Sequence, residues 1–99
     1  MATTTLKFIS FGENLGTRIQ GEVARYNLIL AIKSYDCVIL DFEGVNVVSN
    51  SFADECIAKL IPMIGFDILK QKTTFRNIND FARKSVAVAI RRRLIAIAD

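Results

Sequence analysis

Residues 37–60 read CVILDFEGVNVVSNSFADECIAKL. The stretch opens on Cys37-Val38-Ile39-Leu40, an apolar run too short for a helix and rich in strand formers. An acidic turn follows, Asp41-Phe42-Glu43-Gly44, then a second apolar patch from Val45 to Val48. After Ser51 the period changes: Phe52, Cys56 and Leu60, and with them Ala53, Ile57 and Ile61, recur every four residues. The reading is a buried strand, a polar loop and a helix that begins at a hydroxyl. Ser51 is the expected N-cap, with Asp54 three residues on as the acidic member of a capping box. Asp54 and Glu55 fall in the first turn, where the helix macrodipole favours negative charge. The plainest view of Ser51 is a cap and nothing more.

Upstream, residues 3–10 are expected to form a strand, and residues 11–16, with Gly12, Asn14 and Gly16, a loop. Thr17 is the cap candidate for a helix over residues 18–33. That helix puts Ile19, Val23, Tyr26 and Leu30 on one face, with Arg18, Glu22, Arg25 and Lys33 along the adjoining flank. Gly21 costs a helix interior about 1 kcal/mol relative to Ala, so it marks a close approach to the sheet or to a partner. Thr17, Arg18 and Arg25, with Gly21, are candidates for an anion-binding edge at this helix start.

Downstream, the helix begun at Ser51 is expected to run to about residue 64, irregular near Pro62 and stopped by Gly65. Residues 66–69 are left open between a helical turn and a loop, and residues 73–77 read as a strand. Asn77 or Asn79 caps a final helix. In it Ala82, Val86, Ile90, Leu94 and Ile97 form the main buried stripe. Phe81, Val88 and Ile95 form a second stripe, left to pack on a neighbouring helix or on another chain. Arg91, Arg92 and Arg93 spread over about 200° of helix, so they do not make one compact patch for reading bases. With no glycine-rich phosphate loop, aromatic RNA motif or helix-turn-helix signature, direct nucleic-acid binding is not expected.

Composition narrows the classes. Ninety-nine residues, 52% of them apolar, fit one domain over residues 1–99 with a real core. Histidine is absent, which removes Ser-His-Asp and Cys-His catalysis and histidine metal sites. Cys37 and Cys56 form no Cys-x-x-Cys pair and fit a reducing cytoplasm. No secretory leader and no membrane span are expected, and cytoplasmic localisation is the expectation. Residues 1–69 carry five basic and eight acidic side chains, whereas residues 70–99 carry eight and two. The basic last third either steers an acidic partner or is a solvated helix face.

The residues Val38-Ile39-Leu40-Asp41-Phe42-x-Gly44-Val45 and then Ser49-Asn50-Ser51-Phe52 resemble the signature of STAS domains, the fold of bacterial anti-sigma-factor antagonists. In those a strand ending in Asp-Leu-x-Gly-Val leads to Asp-Ser-Ser-Gly at a helix start, and a partner kinase phosphorylates the second Ser. Ser51 stands at that phosphoacceptor position; Ser49 replaces the Asp, Asn50 the first Ser and Phe52 the Gly. The Ser-Phe-Ala-Asp-Glu run, with Thr17-Arg18, Gly21 and Phe75-Arg76-Asn77, is closer to a divergent STAS-like family without established function. The resemblance implies an α/β two-layer sandwich, a mixed sheet of three to four strands with helices on one side. It implies a non-enzymatic, cofactor-free bacterial signalling module with Ser51 phosphorylated in trans by an ATP-binding anti-sigma-like kinase.

Asn46, Ser49, Asn50, Phe52, Asp54 and Glu55 are then the candidate partner interface. One alternative is a non-switching structural or homo-oligomerising domain, so a homodimer is among the expected assemblies. Another is a small-ligand or metal-binding domain using Asp41, Glu43, Asp54 and Glu55 at the strand's carboxyl end.

Overall fold

Alternating short apolar runs and helical periods predict β-α-β crossovers, and the computed structural model, which describes residues 2–98, contains them. Strand β1 (Thr3–Lys7) pairs in parallel with β3 (Cys37–Asp41), and β3 with β5 (Thr73–Arg76), giving the order β1-β3-β5. A two-residue ribbon, β2 (Asn14–Leu15) against β4 (Val47–Val48), is also parallel. The α/β fold is as expected, but every pairing among the described residues is parallel where a mixed sheet was expected.

The register aligns Thr4, Val38 and Thr73, and then Leu6, Leu40 and Phe75, on one face. Val38 and Leu40 are fully buried there, whereas Thr3, Thr5, Lys7, Thr74 and Arg76 on the reverse face are exposed. One covered face and one polar face make two layers, with helices on one side of the sheet.

Helix α1 (Arg18–Ser34) starts with a full capping box. The Thr17 hydroxyl accepts from the amide of Gln20, and the Gln20 side chain accepts from that of Thr17. The predicted first strand ends early, at Lys7, because Phe8 to Phe11 wind into a 3-10 turn. That turn drops Phe8 into the core, stacked on Phe42 at 4.2 Å between centroids and edge-on to Phe52 at 6.3 Å.

Residues 50–64 form one helical rod in three pieces. They are α2 (Asn50–Ala53), a π turn (Asp54–Ala58) and α3 (Leu60–Ile64). The irregularity expected near Pro62 lies one turn upstream, in the π turn, where the amide of Lys59 reaches back to the carbonyl of Asp54 at 2.9 Å. Gly65, at φ +90°, ends the rod.

The open question at residues 66–69 resolves as helix, in α4 (Phe66–Lys72). Asn79 caps α5 (Asp80–Ala98) by accepting from the amide of Ala82 at 2.7 Å, while Asn77, at φ +56°, donates to Asp41 instead. On α5, Ala82 and Val86 are buried and Ile90 and Leu94 half-buried as expected, but Ile97 is exposed. Of the second stripe, Phe81 and Ile95 are exposed and Val88 is half-buried.

Helix α1 turns the face that groups its larger apolar residues outward. Gly21, Ala24, Leu28 and Ile32 are buried, and Ile19, Val23, Tyr26 and Leu30 point to solvent. Small Gly21 and Ala24 let α1 approach the π turn closely, so the small-residue side packs inward.

Candidate functional site

The stretch between β4 and the rod is fixed from both sides. The amide of Ser49 donates to the carbonyl of Leu15 at 2.9 Å, and Asn79 donates to the carbonyls of Val45 and Asn46 at 3.3 and 3.1 Å. The exposed Asn46 side chain donates to Glu13 at 2.6 Å. Ser49 is the helix N-cap: its backbone is extended and its Oγ accepts from the amide of Phe52 at 3.0 Å. The cap expected at Ser51 therefore lies two residues earlier. Ser51 sits one position inside the helix, after the exposed Asn50.

That shift frees the Ser51 hydroxyl. Among the described residues it makes no hydrogen bond, yet no buried side-chain polar atom lacks a partner, so Ser51 Oγ reaches solvent. The half-buried Ser51 lines an open depression of about 210 Å³ with Arg18, Asn50, Asp54, Ala89 and Arg92.

Asp54 does not reach back as a capping partner. Arg93 grips it with Nε at 2.7 Å and Nη2 at 2.9 Å, and Arg18 Nη1 adds a contact at 2.9 Å. These bonds, Arg93's first and then Arg18's, outweigh burial and hold the Asp54 carboxyl at about 2. Glu55, 7% exposed, accepts from Lys59 at 2.8 Å, Arg25 at 2.6 Å and Arg18 at 3.2 Å. Its carboxyl is likewise held at about 2, by Lys59 foremost and then by Arg25 and Arg18 against burial. The π turn presents these two neighbouring carboxylates to arginines from both α1 and α5.

This arrangement divides the sequence candidates. Asn46, Asn50 and, in part, Ser49, Ser51 and Asp54 are accessible. Phe52 is corrected: it is fully buried against Phe8 and offers a partner nothing. Glu55 is corrected too, because it is buried under three cations. The expected anion-binding edge is also corrected. Thr17 is spent in its own capping box, and Arg18 and Arg25 are turned onto Asp54 and Glu55.

The carboxylates proposed for a metal do not converge. Asp41 accepts from the amide of Glu43 and from Asn77, each at 3.0 Å, and these bonds, in that order, lower its pKa. No group of three or more His, Cys, Asp or Glu side chains among the described residues could hold a metal ion. Arg92 and Arg93 were not singled out for the site. They lie about 40 positions from Ser51 and Asp54, and only the packing of α5 on the rod brings them there.

No helix of the described residues is long and apolar enough to cross a membrane. No curated protein and no solved structure matches the chain. Residues 20–81, more than half of the chain and including Ser51, match the family described as STAS-like domain of unknown function (DUF4325). The chain belongs to that STAS-like family.

Proposed function

We propose that this chain is a non-enzymatic bacterial signalling module that binds a protein partner at the surface around Asn46, Asn50 and Ser51. In this reading an ATP-binding partner kinase phosphorylates Ser51 in the cytoplasm, and the phosphate decides whether the partner stays. One observation carries the reading. Of the two serines at the helix start, Ser49 is committed to the cap, while Ser51 Oγ bonds to none of the described residues and reaches solvent in the depression it lines with Arg18 and Arg92.

A phosphate adds nearly two negative charges and strong acceptor oxygens. Here it would lie in the first turn of a rod whose amides favour anions, with two arginines lining the same depression. Asp54 and Glu55 are already neutralised by Arg18, Arg93, Arg25 and Lys59, so the phosphate enters a pocket that is not acidic. It would compete with Asp54 for Arg18, which spans both. The modification thus changes a partner's view of the surface without disturbing the core.

The test is affinity capture from the source cell with wild-type, Ser51→Ala and Ser51→Asp baits, read by mass spectrometry with phosphosite mapping. A partner kept by Ala and lost by Asp, with phosphate on Ser51, is the expected result. Identical partners on all three baits without phosphate would leave Ser51 without a switching role.

A further inference from the structure

We infer that the outer face of α1 is the interface of a twofold, antiparallel dimer of this chain. Ile19 is 78% exposed, Tyr26 67%, Val23 52% and Leu30 49%. The same helix buries Gly21, Ala24, Leu28 and Ile32 on its inner side. A helix apolar on both sides is ordinarily covered on both.

The occupant follows from the shape and spacing of the face. Its four residues stand four, three and four apart, the spacing of a two-helix seam. That spacing reads the same in either direction. An antiparallel copy therefore sets Ile19 against Leu30 and Val23 against Tyr26, as an isologous twofold contact requires. The ridge is flanked by grooves that could receive its counterpart. One, of about 410 Å³, runs from Val23 and Tyr26 to Ile29 and Met63, with Glu22 and Arg25 on its wall; the other, of about 270 Å³, lies beside Phe11, Ile19 and Val23. Ridge and groove on one surface make it complementary to itself.

The electrostatics agree. The four ridge side chains are uncharged; of the charged residues flanking them, Arg18 and Arg25 are drawn toward Asp54 and Glu55, while Glu22 and Lys33 stand exposed at the ridge's edge. The centre of the seam would then be apolar and its rim charged, as at interfaces generally. From Ile19 to Leu30 the ridge runs about 16 Å along the 17-residue helix. With Met63, 57% exposed, its apolar surface is on the order of several hundred Å², approaching the roughly 800 Å² of one side of a standard interface.

This inference does not depend on Ser51. The full chain is examined by analytical ultracentrifugation over a concentration series, with far-UV circular dichroism to verify folding. Wild type should dimerise. Val23→Glu and Tyr26→Glu should each raise the dissociation constant at least about tenfold with helicity intact. Ile95→Glu, on exposed α5, should leave it unchanged.

Orientation is read by disulfide trapping in a Cys37→Ser background. Ile19→Cys and Leu30→Cys chains should cross-link when mixed and not when alone. A wild-type chain that stays monomeric throughout, a dimer indifferent to both glutamates, or self-linking of either variant chain through its introduced cysteine would overturn the inference.

Discussion

A Cβ built on Gly21 would lie 2.8 Å from the Cβ of Glu55, closer than real Cβ atoms come. It would also lie 3.0 Å from the carbonyl oxygen of Phe52. Both neighbours belong to the rod, and neither is the free end of a flexible side chain. In an exposed helix interior Gly→Ala would gain about 1 kcal/mol from propensity. Here overpacking costs about 1–3 kcal/mol and wins. Gly21→Ala should lower the unfolding free energy by up to about 2 kcal/mol in urea titrations. A variant as stable as wild type would mean that α1 can move off the rod freely.

The carboxylate pair gives the fold an acid limit. Asp54 and Glu55 have folded values of about 2 against ordinary values of 3.8 and 4.5. Because the folded values are depressed, the pairs contribute stability that is fully present above the unfolded values. It is lost as the pH falls through about 4.5 toward 2. Denaturant midpoints measured across this window should fall with pH. Asp54→Asn and Glu55→Gln should each be less stable than wild type at neutral pH and show a flatter acid dependence. Parallel curves for wild type and both variants would show that the arginine contacts contribute nothing.

How much of this was legible depends on how local the cause is. The strand begun at Cys37, which runs one residue further to Asp41, and the Thr17 cap follow from short-range patterns, and the structure contains both; the close approach at Gly21 is there too, but to the rod, not to the sheet or a partner. The orientation of α1 was not legible, because both its faces are apolar. Helical periodicity brings out the larger side chains, Ile19, Val23, Tyr26 and Leu30, whereas packing against the π turn selects the smaller Gly21 and Ala24. Ser51 looked like the cap because Asp54 follows it by three. That acid is held instead by Arg93, 39 residues away, a partner no local pattern contains.

The two cysteines should react very differently. Cys56 is fully buried on the inner side of the rod's π turn, and burial pushes its thiol well above the ordinary range. Cys37 is half-buried in β3. A thiol reagent added to the folded protein should modify one equivalent, mapping to Cys37, and reach Cys56 only after denaturant is added. Native labelling of Cys56 at a comparable rate would mean that the rod opens on the timescale of the reaction.

Ser49 and Ser51 separate a structural serine from a free one. Ser49 Oγ accepts from the amide of Phe52, so Ser49→Ala leaves that helix amide without its cap and should cost about 1 kcal/mol. Ser51 Oγ bonds to none of the described residues, so Ser51→Ala should change stability by less than about 0.5 kcal/mol. Ser51→Asp should fold equally well, because its carboxylate lies in the first turn of the rod beside Arg18 and Arg92. Urea titrations of the three variants check the order. If Ser51→Ala proved the more damaging alanine, the helix would start at Ser51 after all, and the hydroxyl would no longer be free for a phosphate.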